Sequence, residues 1–132
     1  MSDGLTILVV DDDADFLEQM QVQLTRAGFK VLTAGGQREA RAILGSHEVD
    51  AAVVDLMLEN ADGGFSLCHY IKGRTPPMPV ILVTGVTHET GLEFDAATTE
   101  ERSWVKADVF LAKPVRVEQL VREIHRLLKE QT

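Results

Sequence analysis

Four apolar segments of this chain each end at polar residues whose side chains could act together. These residues are Asp11, Asp12 and Asp13 after Leu8–Val10, Asp55 after Ala51–Val54, Thr84 after Val80–Val83 and Lys113 after Val109–Ala112. Carboxylates are ligands that a hard divalent cation such as Mg²⁺ prefers. A hydroxyl and an ammonium can both donate to phosphate oxygens. The residue types therefore predict a site for a metal ion and a phosphoryl group, provided that the fold brings them to one place.

The apolar segments have the composition of strands that are buried on both faces of a parallel sheet, because they are rich in Val, Ile and Leu without alternation. We predict strands near 5–10, 30–34, 51–55, 79–83 and 108–112. Helices are predicted near 14–28, 37–46, 64–73, 99–107 and 115–129. This alternation indicates an α/β protein with helices on both faces of a doubly wound sheet. The carboxyl ends of such strands share one edge, where ligands bind.

Length and composition predict one domain over residues 1–132, with 45% hydrophobic residues to form its core. The net charge of −8 disfavours direct binding to nucleic acid or to an anionic membrane. No apolar segment has the length of a membrane span or of a signal-peptide core. Cys68 is the single cysteine, and it is most simply a core residue. We therefore expect a cytoplasmic protein.

The first acidic cluster has two interpretations. Consecutive carboxylates raise one another's pKa, so their accumulation at a strand end favours cation binding. The alternative is a solvated acidic turn that only caps the first helix. Capping suits Asp13, which stands where the helix begins. Asp11 and Asp12 are too close to the strand end for capping to explain both, and we predict that they bind metal.

Five motifs in this order resemble the receiver domains of two-component response regulators over the whole chain. They are Ile7–Asp13 (ILVVDDD), Val53–Leu58 (VVDLML), Asp62-Gly63, Val80–Gly85 (VILVTG) and Phe110–Pro114 (FLAKP). The resemblance implies a flavodoxin-like three-layer sandwich whose parallel sheet has the strand order 2-1-3-4-5. It also implies a stand-alone response regulator that receives a phosphoryl group and signals to a protein partner.

The resemblance implies a role for each matching residue. Asp55 is the phosphoacceptor, and Mg²⁺ (or Mn²⁺) is held by Asp11, Asp12, Asp55 and the backbone carbonyl of Met57. Lys113 contacts the phosphoryl group, and Thr84 is the switch hydroxyl that moves toward it. Phe110 stands at the position of the switch aromatic, although a plain core ring explains it equally well. The implied phosphodonor is a sensor histidine kinase or a histidine phosphotransfer protein.

Two features depart from the family pattern. Glu59 stands where the family usually has proline, which predicts a less rigid phosphoacceptor loop. The segment 85–97 looks like an insertion before the predicted fourth helix, and it puts the usual output surface in doubt. Trp104 follows this segment, and we favour a role as a core anchor over a partner contact.

Two other function classes would each account for part of this set of residues. A receiver-like scaffold that is never phosphorylated would gain nothing from clustered carboxylates. A haloacid-dehalogenase-type phosphatase would use Asp11 as its nucleophile with Asp13 two residues on, but it leaves Asp55 without a role. We therefore expect no enzyme activity beyond Mg²⁺-dependent self-phosphorylation and autodephosphorylation.

Overall fold

A computed structural model of the chain describes residues 4–55, 63–73, 78–84, 109–113 and 115–130. The strands are β1 (Thr6–Val10), β2 (Lys30–Ala34), β3 (Ala51–Asp55), β4 (Val80–Thr84) and β5 (Val109–Ala112). The helices within the described ranges are α1 (Ala14–Arg26), α2 (Gln37–Ser46), α3 (Gly63–Lys72) and α4 (Val117–Glu130). The helix predicted near 99–107, the segment 85–97, Glu59 and Trp104 lie outside the described residues.

The five strands form one parallel sheet in the order β2-β1-β3-β4-β5. This confirms the doubly wound α/β fold and its strand order. The register places Val10 beside Val54 on the neighbouring strand, and Thr84 beside Ala112. The carboxyl ends of β1, β3, β4 and β5 therefore reach the same edge of the sheet, which is the edge that the sequence predicts as the site.

Alternate residues of the strands pack on opposite faces of the sheet, because successive side chains of a strand point in opposite directions. Leu8, Val54 and Leu82 belong to one buried cluster, which α2 and α3 cover with Leu44 and Leu67 among others. The second cluster joins the other face to α1 and α4, and it contains Ile7, Val9, Val53, Ile81, Val83, Leu111, Met20, Leu24, Leu120, Ile124 and Leu127. The predicted three-layer arrangement is confirmed, and Cys68 is a fully buried member of the first cluster.

Two helix ends differ from the predicted bounds by two residues, and the other differences within the described residues are of one residue. Helix α1 ends at Arg26 rather than at residue 28, because Gly28 adopts the left-handed conformation with a φ of 101°. Helix α4 starts at Val117 rather than at residue 115, and Leu120 donates to the carbonyl of Arg116 at 3.0 Å. Within the described ranges, none of the helices has the length and apolar character required to cross a bilayer.

Candidate functional site

Asp11 continues the line of β1 and is fixed by both its backbone and its side chain. Its N–H donates to the carbonyl of Ala34 at 3.1 Å, which extends the pairing with β2 by one residue. The Asp11 side chain is buried, Oδ1 accepts the N–H of Asp13 at 2.8 Å, and Oδ2 accepts from Lys113 Nζ at 2.9 Å. Both carboxylate oxygens of this buried side chain therefore have hydrogen-bond donors.

Asp55 is the last residue of β3 and is also buried, with 7% of its surface exposed. Because Val54 lies beside Val10 in the sheet, Asp55 is brought next to Asp11 at the shared edge. Asp12 is exposed, and one carboxylate oxygen from each of these three residues lies within 4.8 Å of the others. The three predicted acidic ligands are therefore gathered in one place.

Lys113 follows β5 directly and faces this cluster from the other side of β4. Its ion pair with Asp11 joins a side chain that is 25% exposed to one that is 1% exposed. Burial by itself would lower the pKa of Lys113, but the hydrogen bond to Asp11 and the charges of Asp11, Asp55 and Asp13 outweigh it. The pKa of Lys113 is raised above its ordinary value, so the ammonium keeps its proton at neutral pH.

The structure describes two of the three remaining predicted site residues. Thr84 is the last residue of β4, in register with Ala112, so its backbone reaches the site edge. Phe110 is half-buried in β5 and packs against the cluster under α2 and α3. Met57 lies outside the described residues. For Thr84 and Phe110, the switch roles stay predictions.

Asp13 begins α1, as the sequence indicates. Its Oδ1 accepts the N–H groups of Asp15 at 3.0 Å and Phe16 at 3.4 Å, which are donors that an uncapped helix would leave unsatisfied. The cap holds Phe16 in the first turn of α1. In the sequence, the helical spacing of Phe16 and Met20 predicts only a core position for Phe16. The ring of Phe16 lies with its centroid 4.5 Å from Lys113 Nζ. The signal available in the sequence is its place in the first turn after the acidic cluster.

The arrangement combines hard oxygen ligands with one cationic donor. The three carboxylates outnumber the one ammonium, so the cluster carries net negative charge. A divalent cation would reduce the repulsion among the carboxylates. The carboxylate oxygens fit Mg²⁺ or Mn²⁺, and within the described residues no histidine or cysteine joins the group. The chemistry that this set supports is the binding and transfer of a phosphoryl group.

Comparison with known proteins agrees with this interpretation. The model of the response regulator receiver domain family matches residues 7–125. The chain belongs to the response regulator receiver domain family. The resemblance inferred from the five motifs is thereby confirmed, and the receiver domain is a component of two-component signalling.

Named relatives and solved structures support the same assignment. The receiver domain is 34% identical to the transcriptional regulatory protein GltR of Pseudomonas aeruginosa, over 97% of this chain and 50% of that protein. It is 33% identical to the heme response regulator HssR of Staphylococcus haemolyticus, over 92% of this chain and 50% of that protein. The chain thus spans about half the length of the curated relatives that it matches.

Among solved structures, a CheY-like response regulator receiver domain protein from Methanospirillum hungatei has a TM-score of 0.79 and 28% identity, covering 96% of this chain and 95% of that one. A response regulator receiver domain protein from Clostridium thermocellum has a TM-score of 0.77 and 28% identity, covering 96% of both chains. The fold and the family therefore agree across independent comparisons.

Proposed function

We propose that this receiver domain accepts a phosphoryl group on Asp55 from the phosphohistidine of a sensor histidine kinase or a histidine phosphotransfer protein. The observation that carries the proposal is the meeting of Asp11, Asp12 and Asp55 within 4.8 Å, with Lys113 2.9 Å from Asp11. A helix cap accounts for Asp13, but it does not account for this group. Membership of the receiver family supports the same role.

The proposed reaction is a nucleophilic displacement at phosphorus. A carboxylate oxygen of Asp55 attacks the phosphorus atom, the phosphorus–nitrogen bond of the donor breaks, and the imidazole nitrogen leaves with the bonding electron pair and takes up a proton. The product is an acyl phosphate on Asp55. Asp55 is held at the sheet edge as the last residue of β3, and the Lys113 ammonium is placed to donate to a phosphoryl oxygen.

Mg²⁺ (or Mn²⁺) held by Asp11, Asp12 and Asp55, with the carbonyl of Met57 as the further ligand that the family pattern implies, would offset the negative charge of the carboxylates and the phosphoryl group. The ammonium of Lys113 alone would balance one of these charges. We therefore propose that phosphorylation depends on the divalent cation.

Signalling then follows from the charge that phosphorylation adds. The acyl phosphate carries about −1.5 to −2 charge where the Asp55 carboxylate carried a single negative charge, so phosphorylation adds up to about one negative charge, together with three phosphoryl oxygens, at an edge where β4 and β5 end. We propose that Thr84 moves toward the phosphoryl oxygens, that Phe110 responds, and that a protein partner recognises the new conformation. Water later hydrolyses the acyl phosphate, and no chemistry on other molecules is part of the proposal.

The partners are proposed to be proteins in the cytoplasm. A net charge of −8 makes direct nucleic-acid binding by these residues unfavourable. GltR is named as a transcriptional regulatory protein, and we propose that any effect of this receiver on transcription passes through a protein contact.

The test is incubation with acetyl phosphate and Mg²⁺, followed by intact mass measurement and by peptide mapping of the modified residue. We expect a gain of one phosphoryl group that is located on Asp55 and is lost in Asp55→Asn. Asp15→Asn is the matched control, because Asp15 is an exposed acid in the first turn of α1 that is not one of the clustered carboxylates. This variant should be labelled like the wild type.

Two outcomes contradict the proposal. Label on Asp11 instead of Asp55 would favour the phosphatase alternative. No label on folded protein, with Mg²⁺ binding verified by a shift in the melting temperature, would favour the scaffold alternative.

A further inference from the structure

Phe16 contacts the ammonium of the site. The centroid of its ring lies 4.5 Å from Lys113 Nζ, and a cation is attracted to an aromatic face within about 6 Å of the centroid. The same ammonium donates to Asp11 Oδ2 at 2.9 Å. Lys113 is therefore held by two contacts of different chemistry, a carboxylate and an aromatic ring.

The position of the ring is set independently of the ammonium. The backbone N–H of Phe16 donates to the Asp13 cap, which fixes the first turn of α1. The side chain is half-buried and packs against the core cluster beneath α1 and α4. These interactions do not involve Lys113. The backbone cap and the core packing therefore hold the ring in place independently of the ammonium that it contacts.

The two contacts respond differently when the carboxylate cluster binds a divalent cation. Asp11 is one of the three clustered carboxylates, and a carboxylate that shares its charge with a metal ion attracts Lys113 less. The ring of Phe16 has no ligand atom for Mg²⁺, so its attraction for the ammonium persists.

We propose that Phe16 is a positioning residue, which keeps Lys113 Nζ at the sheet edge for donation to the phosphoryl oxygens while Asp11 is engaged by the metal. This inference rests on the proposed function of Asp55 and deepens it. It concerns a side chain that takes no part in the bond-making step and acts through Lys113.

The test compares Phe16→Leu, which keeps apolar volume but removes the aromatic face, with Phe16→Tyr, which keeps the face. With acetyl phosphate and saturating Mg²⁺, we expect Phe16→Leu to slow labelling of Asp55 by about threefold to tenfold, and Phe16→Tyr to retain most of the rate. In a Lys113→Met background, adding Phe16→Leu should alter the labelling rate by about twofold or less, because the ammonium on which Phe16 acts is absent.

A second readout does not depend on phosphorylation. The ring should move the proton resonances of the Lys113 ε-methylene upfield in NMR spectra, with and without Mg²⁺. This shift should be lost in Phe16→Leu and kept in Phe16→Tyr. It also decides the case in which Lys113→Met is labelled too slowly to time.

Phe29→Leu is the matched control, because Phe29 is a buried ring of the same core cluster beyond the other end of α1. It should reduce stability without changing the Lys113 resonances. Three outcomes would overturn the positioning role alone. These are equal labelling rates for Phe16→Leu and the wild type, an equal loss of rate from Phe16→Leu in both Lys113 backgrounds, and a Lys113 resonance shift that remains in Phe16→Leu. A wild type that is never labelled overturns the proposed function as well.

Discussion

The two ends of strand β3 carry the same residue type and use it in different ways. At the amino end, Asp50 exchanges hydrogen bonds with Thr6, because its N–H donates to the Thr6 carbonyl at 2.8 Å and its Oδ2 accepts the Thr6 N–H at 2.7 Å. At the carboxyl end, Asp55 lies with two further carboxylates within 4.8 Å. One aspartate ties strands together, and the other adds negative charge to a cluster.

Two lysines show the same contrast. Lys72 is the last residue of α3, and its Nζ donates to the carbonyl of Met78 at 3.0 Å, just before β4 begins. Lys113 follows β5 and donates to the carboxylate of Asp11. Asp50 and Lys72, before the amino ends of β3 and β4, therefore bind backbone groups. Asp55 and Lys113, at the carboxyl ends of β3 and β5, lie beside other charged side chains.

The polar residues at these two edges differ in whether they stabilise the fold without a ligand. A carboxylate that accepts a backbone N–H stabilises the fold by itself. Carboxylates that lie together repel one another, and the arrangement becomes favourable when a cation is added. The contribution of the carboxyl edge to stability should therefore depend on added ligands, whereas the contribution of the amino edge should not.

The largest expected effect is stabilisation of the folded protein by Mg²⁺. At a free Mg²⁺ concentration of 100 times Kd, binding to the folded state should raise the free energy of unfolding by about 2.7 kcal/mol. Thermal and chemical unfolding with and without Mg²⁺ measure this gain. Asp11→Asn should reduce it, because one of the clustered carboxylates is lost. A gain of the same size in Asp11→Asn would show that Mg²⁺ binds elsewhere.

A smaller effect is expected at the other end of β3. Asp50→Ala removes the acceptor for the Thr6 N–H and should lower the free energy of unfolding by about 1–2 kcal/mol. Urea unfolding measures the loss, and Asp50→Asn, which keeps one acceptor oxygen, should lose less. The gain from Mg²⁺ should be unchanged in both variants. A reduced gain would contradict the separation of the two ends.

Much of the fold follows from the pattern of residues in the sequence. Strand β3 is predicted with its observed bounds because Ala51–Val54 is an uninterrupted apolar segment that ends at a charge. Asp13 is predicted as a cap because a short acceptor at the start of a helix satisfies free N–H groups. The meeting of Asp11 and Asp55 is predictable because strand ends of a parallel sheet share an edge.

The contacts that depend on tertiary geometry could not be predicted in the same way. The place of Phe16 beside Lys113 depends on how α1 is oriented against the end of β5, and the two residues are 97 positions apart in the chain (113 − 16). Helical periodicity assigns Phe16 to the core face and gives no information about its neighbour. The reciprocal bonds of Asp50 likewise need the register of β1 against β3.

The smallest expected effect is a dependence of stability on alkaline pH that comes from Lys113. Its pKa is raised in the folded protein by Asp11, Asp55 and Asp13, so the folded state holds this proton more tightly than the unfolded state does. The stabilisation is fully present below the unfolded pKa of about 10.4 and is lost as pH rises through the folded pKa. Urea unfolding at about pH 9 and pH 11 should show a steeper fall for the wild type than for Lys113→Met. A fall of equal size would mean that the ion pair with Asp11 adds nothing to stability, and the carboxyl edge would then lack even this internal compensation for its carboxylates.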